Sequence, residues 1–265
     1  MGGREICLSL ALSASVLFAQ TAQAQLKARG RVMRGAAERL FVLTNMERAK
    51  AGVGQLKWDP ALAQAAREHC LLMAYEGPIA HQYPGEPGLT ARAAQAGAHF
   101  SLIEENVAVG ISAREINQEW MNSPPHRANL LSPKIDRMGA AVVEARGVLY
   151  AVEDFSTDVP QLLPSQVEAQ VANMIRVSGV KILHYRAATA AAHKACVTDQ
   201  GMPPAASGLE PLFLMRWQTS SLNVLPEALT QRLASGRYRS AAVGSCAPQG
   251  PQNSFSAYRV AVLLY

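Results

Sequence analysis

The stretch that most constrains the fold is residues 138–155, MGAAVVEARGVLYAVEDF, in which two apolar runs flank Arg146-Gly147. Valine, alanine and aromatic residues on both sides of a two-residue break predict two β-strands joined by a tight turn. The residues before this hairpin have helical spacing instead. The region from residue 37 to residue 158 is therefore expected to combine helices with strands.

Two amphipathic helices are predicted before the hairpin. In residues 37–52 the apolar side chains fall on one helical face, and a glycine stands near the end. Asp59 and Pro60 provide an N-cap and a first helical residue for a second helix. The apolar stripe of this second helix runs from Leu62 to Met73 at intervals of four, four and three residues.

A third helix is predicted to begin at the capping box formed by Ser112 and Glu115. It is predicted to end at Pro124-Pro125, because proline lacks a backbone N–H and restricts the residue before it. His126 follows directly, so the sequence predicts a turn that presents this histidine.

Three side chains are candidates for chemistry: His81, Glu105 and His126. His81 lies in a loop rich in glycine and proline, and Glu105 lies in a stretch predicted to be irregular. Two imidazoles and a carboxylate can bind zinc with an open position or carry out acid–base catalysis. A loop histidine can equally cap a helix or bond a backbone carbonyl, so spacing alone leaves these alternatives open. The sequence contains no G-x-S-x-G, P-loop, H-E-x-x-H or C-x-x-C motif.

The N-terminus has the pattern of a signal peptide, which is predicted over residues 1–24. A weakly basic start precedes an apolar run that is short for a membrane span, and Ala22-Gln23-Ala24 matches an A-x-A cleavage site. Cleavage after Ala24 would begin the mature chain at Gln25, in a basic linker predicted over residues 25–36. The expected localisation is therefore secreted or periplasmic.

An exported chain meets an oxidising environment, in which Cys196 and Cys246 can form a disulfide. Cys70 lies on the apolar side of a predicted helix, which favours a buried free thiol. The formal net charge is +5 and the isoelectric point is about 9.2, mildly basic values that permit anionic partners without requiring them. We expect no nucleic-acid partner.

Residues 159–265 are predicted to form a second, smaller α+β region that begins near Pro160 and Pro164. Helical and strand patterns alternate along this region. They predict that it folds, and they indicate no function for it.

Ordered motifs in residues 37–158 carry a family resemblance. The motifs are LTNMERAKAGVGQLKWDPALAQAAREHCLLM, then His81, then ENVAVG, then EWMNSPPHRANLLSPKIDRMGAAVV. Together they resemble the CAP superfamily of cysteine-rich secretory, antigen 5 and pathogenesis-related proteins, and in particular its bacterial, SCP-like branch. The resemblance implies an α+β fold, an α-β-α sandwich whose cleft is lined by two histidines and one or two glutamates. By position, His81, Glu105 and His126 match these cleft residues.

The sequence departs from the family pattern at the cleft. Glu104 and Pro125 replace the glycines that precede the second and third cleft residues, and Ser123 stands where animal and plant members place a second glutamate. The resemblance therefore carries over three cleft residues, with Ser123 as a residue that lines the cleft.

The leading hypothesis is an exported protein whose cleft binds a small-molecule, lipid or peptide ligand, with cell-envelope association as a further expectation. Under this hypothesis His81 and His126 hold zinc or another divalent cation, and Glu105 orients an imidazole or polarises a bound water. One alternative is a metal-dependent hydrolase of a peptide or envelope substrate, with Glu105 as general base. Another is a structural or adhesive envelope protein with a vestigial cleft, in which residues 159–265 make the contacts.

Overall fold

The computed structural model describes residues 30–198, 200–203, 205, 208–250 and 254–265. These residues divide into two units, the first formed by residues 30–98 and 102–158, the second by residues 99–101 and 159–265. The predicted signal peptide, its cleavage after Ala24 and residues 25–29 of the predicted linker lie outside the described residues.

A five-stranded sheet forms the centre of the first unit. Its strands are β1 (Arg31–Val32), β2 (Lys57–Trp58), β3 (Phe100–Gly110), β4 (Arg137–Ala145) and β5 (Val148–Asp158). The strand order is β1-β4-β5-β3, and β2 also pairs with β4. The predicted hairpin is confirmed as β4 and β5, which pair antiparallel up to their turn. Arg146 and Gly147 both have positive φ, of 53° and 78°, as a two-residue turn of this hand requires.

Helices cover both faces of this sheet. They are α1 (Arg34–Lys50), α2 (Pro60–Glu76), α3 (Leu89–Gln95), α4 (Ala113–Asn122) and α5 (Pro124–Leu130). On one face Leu40 of α1 and Trp120 of α4 share a core cluster with Phe155 of β5. On the other face Met73 of α2 packs with Val152 of β5. The first unit is therefore the α-β-α sandwich that the family resemblance implied.

The N-terminal boundary predicted for the first domain is too late in the chain. Strand β1 and the start of helix α1 lie within residues 25–36, which were predicted to be a linker. The reason is backbone pairing, because Arg31 pairs with Glu144 and Val32 with Val143 on strand β4. This pairing places the segment from Arg31 in the sheet rather than in a tail.

The predictions for the chain around Glu105 and His126 were also wrong in their local structure. The stretch predicted as irregular is strand β3, eleven residues long, with Glu105 at its centre. Helix α4 does end at Asn122, but Pro124 is the first residue of helix α5. Proline is tolerated at that position, where its missing N–H would have no partner in the helix. His126 thus stands on a short helix rather than on a turn.

The second unit has a four-stranded sheet of order β6-β8-β9-β7. Its strands are β6 (Lys181–Ile182), β7 (Phe213–Thr219), β8 (Ser240–Cys246) and β9 (Tyr258–Leu264), and its helices are α6 (Pro164–Arg176), α7 (Arg186–Val197) and α8 (Glu227–Ala234). Val171 of α6 and Leu229 of α8 pack with Val262 on one face. Ala192 of α7 packs with Leu263 on the other face. The α+β prediction for this region is confirmed.

The cysteines are paired as the sequence allowed. A disulfide joins Cys196, near the end of α7, to Cys246 at the end of β8. Cys70 is a buried free thiol whose Sγ donates to the Tyr150 carbonyl at 3.1 Å. Burial raises the pKa of the Cys70 thiol, so it stays protonated and unreactive. No helix in the described part of the chain is long and apolar enough to cross a membrane.

Candidate functional site

The site is built around the carboxylate of Glu105 on strand β3. The Glu105 side chain is only 2% exposed. Its Oε1 accepts a hydrogen bond from Nδ1 of His81 at 2.8 Å, and its Oε2 accepts one from Nη2 of Arg92. Both carboxylate oxygens are therefore already engaged by cationic or ionisable groups of the protein.

His81 is the part of this pair that faces solvent, with a side chain 62% exposed. Because Nδ1 donates to Glu105, the neutral ring carries its proton there and leaves the Nε2 lone pair free. No hydrogen bond to Nε2 occurs among the residues that the structure describes. The hydrogen bond to Glu105 is the main cause of a raised pKa for His81, against the opposing effects of burial and of Arg92.

His126 supplies a second imidazole close to the first. Burial, and then the charge of His81, lower the pKa of the half-buried His126. Its ring nitrogens have no hydrogen-bond partner within the described ranges. The pKa of His81 is thus raised and the pKa of His126 is lowered from the ordinary value of a histidine. Each ring keeps a nitrogen that no described protein group binds.

Two asparagines fix the helix that carries His126. Asn106 Nδ2 donates to the carbonyl oxygen of His126 at 3.1 Å. Asn129 Nδ2 donates to the Asn106 side-chain oxygen at 3.0 Å and to the Glu105 carbonyl at 3.2 Å. Helix α5 is therefore tied to strand β3 at Glu105 and Asn106.

Arg92 of helix α3 supports the site from inside the protein. Its side chain is 4% exposed, and besides Glu105 it donates through Nη1 to the His81 carbonyl at 3.1 Å. A buried guanidinium that binds both the carboxylate and the backbone of its partner histidine fixes their relative position. The sequence analysis missed this residue because a lone arginine in a short alanine-rich helix looks like a solvated charge.

His69 and Glu86 form a second buried layer. His69 Nε2 donates to the Ala80 carbonyl at 2.8 Å, and its Nδ1 lies within hydrogen-bond distance of Glu86 Oε1, at 2.7 Å. The Ala80 carbonyl immediately precedes His81 in the chain. This contact therefore holds the loop from which His81 extends, in agreement with the structural role expected of a histidine that bonds a carbonyl.

A second carboxyl group, that of Asp154 on strand β5, is close enough to Glu105 to be affected by its charge. Asp154 is fully buried, and neither of its oxygens has a hydrogen-bond donor in the described structure. Burial, followed by the charge of Glu105, raises its pKa well above the ordinary value, although Arg92 acts in the opposite direction. The signal in the sequence was a pair of consecutive acidic residues, Glu153 and Asp154, directly after the apolar run Val148–Val152.

Ser123 ends helix α4 and directly precedes helix α5. It is half-buried, and its hydroxyl makes no capping hydrogen bond. Its place as a residue that lines the cleft stays a prediction. Trp120 is 1% exposed and donates through Nε1 to the Val107 carbonyl at 3.2 Å, so it belongs to the core as expected.

The described residues contain no group of three or more histidine, cysteine, aspartate or glutamate side chains arranged to hold a metal ion. Of the three predicted site residues, His81 and Glu105 are in direct contact, and His126 interacts with His81 through its charge.

The first unit is an α-β-α sandwich in which a buried glutamate holds a solvent-facing histidine. These features agree with the family resemblance of the sequence. The sequence model of the cysteine-rich secretory protein family, CAP, matches residues 41–155. These residues therefore form a CAP domain. The uncharacterized protein YkwD of Bacillus subtilis is 30% identical over 112 residues, which is 42% of this chain and 44% of that protein. The chain thus matches less than half the length of this curated relative.

Solved structures similar to the chain include extracellular proteins. An outer surface protein of Borrelia burgdorferi is 22% identical, with a TM-score of 0.45, over 49% of this chain and 98% of that one. An extracellular SCP-domain protein of Bacillus anthracis is 27% identical, with a TM-score of 0.45, over 47% of this chain and 41% of that one. A structure of NaASP2 determined with Zn²⁺ is 12% identical, with a TM-score of 0.34, over 48% of this chain and 85% of that one.

Proposed function

We propose that the CAP domain is an exported ligand-binding module in which His81 and His126 take a divalent cation, zinc in the first instance. The observation that supports this is the contact between His81 Nδ1 and Glu105, which leaves Nε2 of an exposed imidazole as a free lone pair. A carboxylate that fixes the tautomer of a histidine is a common support of metal-binding imidazoles. Export is proposed from the predicted signal peptide.

His81 and His126 supply only part of the ligand set that zinc takes. Two imidazole nitrogens are suitable zinc donors, but a tetrahedral ion takes four ligands. The remaining positions would be left to water or to a ligand, so we expect modest affinity and an ion that is accessible from solvent. Among the described residues no third histidine, cysteine or carboxylate side chain is placed to join the two imidazoles, and both oxygens of Glu105 already accept hydrogen bonds from His81 and Arg92.

The first test is a calorimetric zinc titration of the wild type and of His81→Ala and His126→Ala. Each variant should lose zinc affinity by at least about tenfold, or 1.4 kcal/mol. His184→Ala is the matched control, because it removes an exposed histidine of the second unit. Equal zinc binding by the wild type and both site variants would disprove the proposal.

The same titration should depend on pH in one direction. A protonated imidazole cannot bind a metal ion, and the hydrogen bond to Glu105 raises the pKa of His81 above the ordinary value of a histidine. Zinc affinity should therefore fall as the pH is lowered through the pKa of His81.

The geometry favours binding over the hydrolase alternative. A general base must reach the water whose proton it takes. Glu105 is 2% exposed and its oxygens already accept hydrogen bonds from His81 and Arg92. The carboxylate is thus placed to orient an imidazole, which is a role in ligand binding.

A second candidate function is lipid binding in a separate apolar groove of the first unit. The groove has a volume of about 660 Å³, within the usual range for small-molecule sites, and lies between α1, the start of α2 and β4. Phe41 and Trp58 form an edge-to-face pair there, with ring centroids 5.4 Å apart. Trp58 is 38% and Val42 is 46% exposed, so apolar surface is available to an acyl chain.

Quenching of tryptophan fluorescence by dibromostearate tests this second function. Val42→Asp puts a charge in the groove and should weaken saturable quenching by about tenfold, a cost of 1.4 kcal/mol. Ile111→Asp is the control, because Ile111 is 75% exposed and does not line the groove. Quenching that is not saturable, or that is reduced equally in both variants, would contradict lipid binding in the groove.

A further inference from the structure

A cluster of basic residues lies at one end of the sheet in the second unit. Strands β6 and β8 pair in parallel, so both begin at this end, and β9 finishes there because it runs antiparallel to β8. The backbone N–H of Lys181 on β6 donates to the carbonyl of Arg239, the residue before β8, at 3.1 Å. Helices α6 and α8 end at the same place, since a short connection leads from each of them into β6 or β8.

Five exposed basic side chains occupy this part of the second unit, which we call the basic end. They come from the last residue of α6, the first residues of β6 and α7, and the connection from α8 to β8: Arg176, Lys181, Arg186, Arg237 and Arg239. Nη2 of Arg176 lies 3.0 Å from Nε2 of His184, which brings the end of α6 close to the start of α7. The fold therefore gathers five positive charges from separate elements at one end of the sheet.

The described carboxylates of the second unit lie away from the centre of the basic end. Residues 175–186 and 230–240, which form most of it, contain no aspartate or glutamate. Glu168 accepts a hydrogen bond from the N–H of Ser245, near the end of β8, and Glu227 begins α8, so both lie at the far end of the sheet. Glu210 precedes β7, at the edge of the sheet opposite β6. The basic end therefore keeps a net positive charge.

Helix stability accounts for only one of the five charges. A basic residue at a helix C-terminus complements the helix dipole, which explains Arg176 at the end of α6. Arg186 is the first residue of α7, where a positive charge is unfavourable. Lys181, Arg237 and Arg239 lie outside the helices, and none of them forms an ion pair with a carboxylate in the described part of the chain. A cluster of like charges that the fold does not require indicates an anionic partner.

Exposed apolar side chains stand among these charges. Val177 follows Arg176 and is 89% exposed, and Tyr185 precedes Arg186 and is 38% exposed. Surfaces that bind anionic membranes combine basic residues with apolar side chains that enter the headgroup region. A polyanion in solution would be attracted by the charges but would gain little from an exposed valine. The combination therefore favours a lipid surface as the partner.

We propose that the basic end docks the protein on an anionic phospholipid surface, with the five charges over the phosphate groups and Val177 in the headgroup region. Each basic residue held within a Debye length of such a surface strengthens binding by about fivefold. Docking gives the second unit a partner and agrees with the expected association with the cell envelope. It does not depend on zinc binding by the first unit.

Sedimentation with lipid vesicles tests the charges. The mature chain predicted to begin at Gln25 should bind vesicles made of equal parts of phosphatidylcholine and phosphatidylglycerol, and added salt should release it. Vesicles of phosphatidylcholine alone should bind it far less. Lys181→Gln should weaken binding to the anionic vesicles by about fivefold, and adding Arg239→Gln should weaken it further. Equal binding by the wild type and the double variant would overturn the proposal.

Lys194→Gln is the matched control for these charge substitutions. Lys194 is an exposed lysine of α7 that stands two residues before Cys196. The disulfide of Cys196 with Cys246 places this part of α7 beside the end of β8, far from the basic end. Removal of this charge should leave vesicle binding within about twofold of the wild type, because it lies more than a Debye length from a surface docked at the basic end. A loss as large as that of Lys181→Gln would show attraction by net charge alone and would overturn docking through the basic end.

Tryptophan fluorescence tests whether the partner is a membrane or a soluble polyanion. Val177→Trp places an indole in the basic end, and its emission should shift to shorter wavelength when the anionic vesicles are added, because indole rings settle at the headgroup level. Val224→Trp is the control, since Val224 is 75% exposed in the connection from β7 to α8, at the far end of the sheet. A shift in Val177→Trp no larger than in Val224→Trp, or tighter binding to polyphosphate in solution than to the vesicles, would overturn docking on lipid.

Discussion

At the scale of single residues, the carboxylate of the site is buried and the imidazole that it holds is exposed to solvent. The carboxylate of Glu105 is 2% exposed, whereas the His81 ring is 62% exposed and is polarised by that carboxylate. Two of the groups that support this arrangement, Arg92 and His69, are themselves buried. The protein thus sets the tautomer and orientation of the exposed imidazole, and under the proposed function this preorganisation would reduce the ordering cost of binding.

A buried acid should make folding stability depend on pH in a defined direction. Burial raises the pKa of Glu153 well above 4.5, so the native state keeps a proton that the unfolded chain releases. Stability is then fully present below the unfolded pKa and falls as the pH rises toward the folded pKa. Glu153→Gln should remove this loss and raise the free energy of unfolding at pH 8 by about 1.4 kcal/mol for each pKa unit of the shift.

Urea unfolding at pH 4.5 and pH 8 measures this effect. The variant and the wild type should differ least at the lower pH, where the Glu153 side chain is largely protonated in both states. If the free energy of unfolding rises by the same amount between pH 4.5 and pH 8 in the wild type and in Glu153→Gln, the native state does not keep a proton on Glu153.

At the scale of elements, the sequence predicted the helices and strands whose apolar spacing repeats over many residues. It missed the elements whose structure depends on single polar contacts. The β4–β5 hairpin and helices α1 and α2 were predicted because their apolar spacing extends over many residues. Strand β3 was not predicted, because its centre is Glu104-Glu105-Asn106, whose polar side chains hide the strand pattern. Those polar residues make the network of the site, so function overrides the local pattern there.

The candidate site was predictable only in part for the same reason. His81, Glu105 and His126 were singled out by residue type and position and then matched to the cleft residues of the family, and the structure brings the first two into contact. Arg92 carries no local signal of its pairing with Glu105. Its role follows from tertiary packing, which a pattern in one segment does not contain.

The packing of α2 on β4 depends on the absence of a side chain at Gly139. A Cβ at this position would lie 2.0 Å from the backbone nitrogen of Ala63 and 2.3 Å from the carbonyl carbon of Leu62. Gly139→Ala should therefore force the helix from the sheet and destabilise the first unit by roughly 1–3 kcal/mol or more. Denaturant unfolding followed by circular dichroism measures the loss.

Gly35→Ala is the control for this substitution. Gly35 lies in helix α1, and a Cβ there would meet no atom within 4 Å. Alanine should leave stability unchanged or increase it by roughly 0.5–1 kcal/mol, because alanine loses less backbone entropy than glycine on folding. A Gly139→Ala protein as stable as the control would show that α2 can move without cost.

At the scale of the whole molecule, the charge is distributed unevenly between the two regions. Acidic residues outnumber basic ones in residues 37–158, and the reverse holds in residues 159–265. The net charge of +5 is therefore not a property of the CAP domain.

The disulfide between Cys196 and Cys246 keeps the second unit covalently connected after a single cleavage by a protease between these two residues. It spans 50 residues of sequence, and these include the long connection from α7 to β7. A single cut anywhere in that span would leave two fragments joined by a covalent bond. Strands β8 and β9 would then stay attached to helix α7, and separating the pieces would require a reductant as well as a protease.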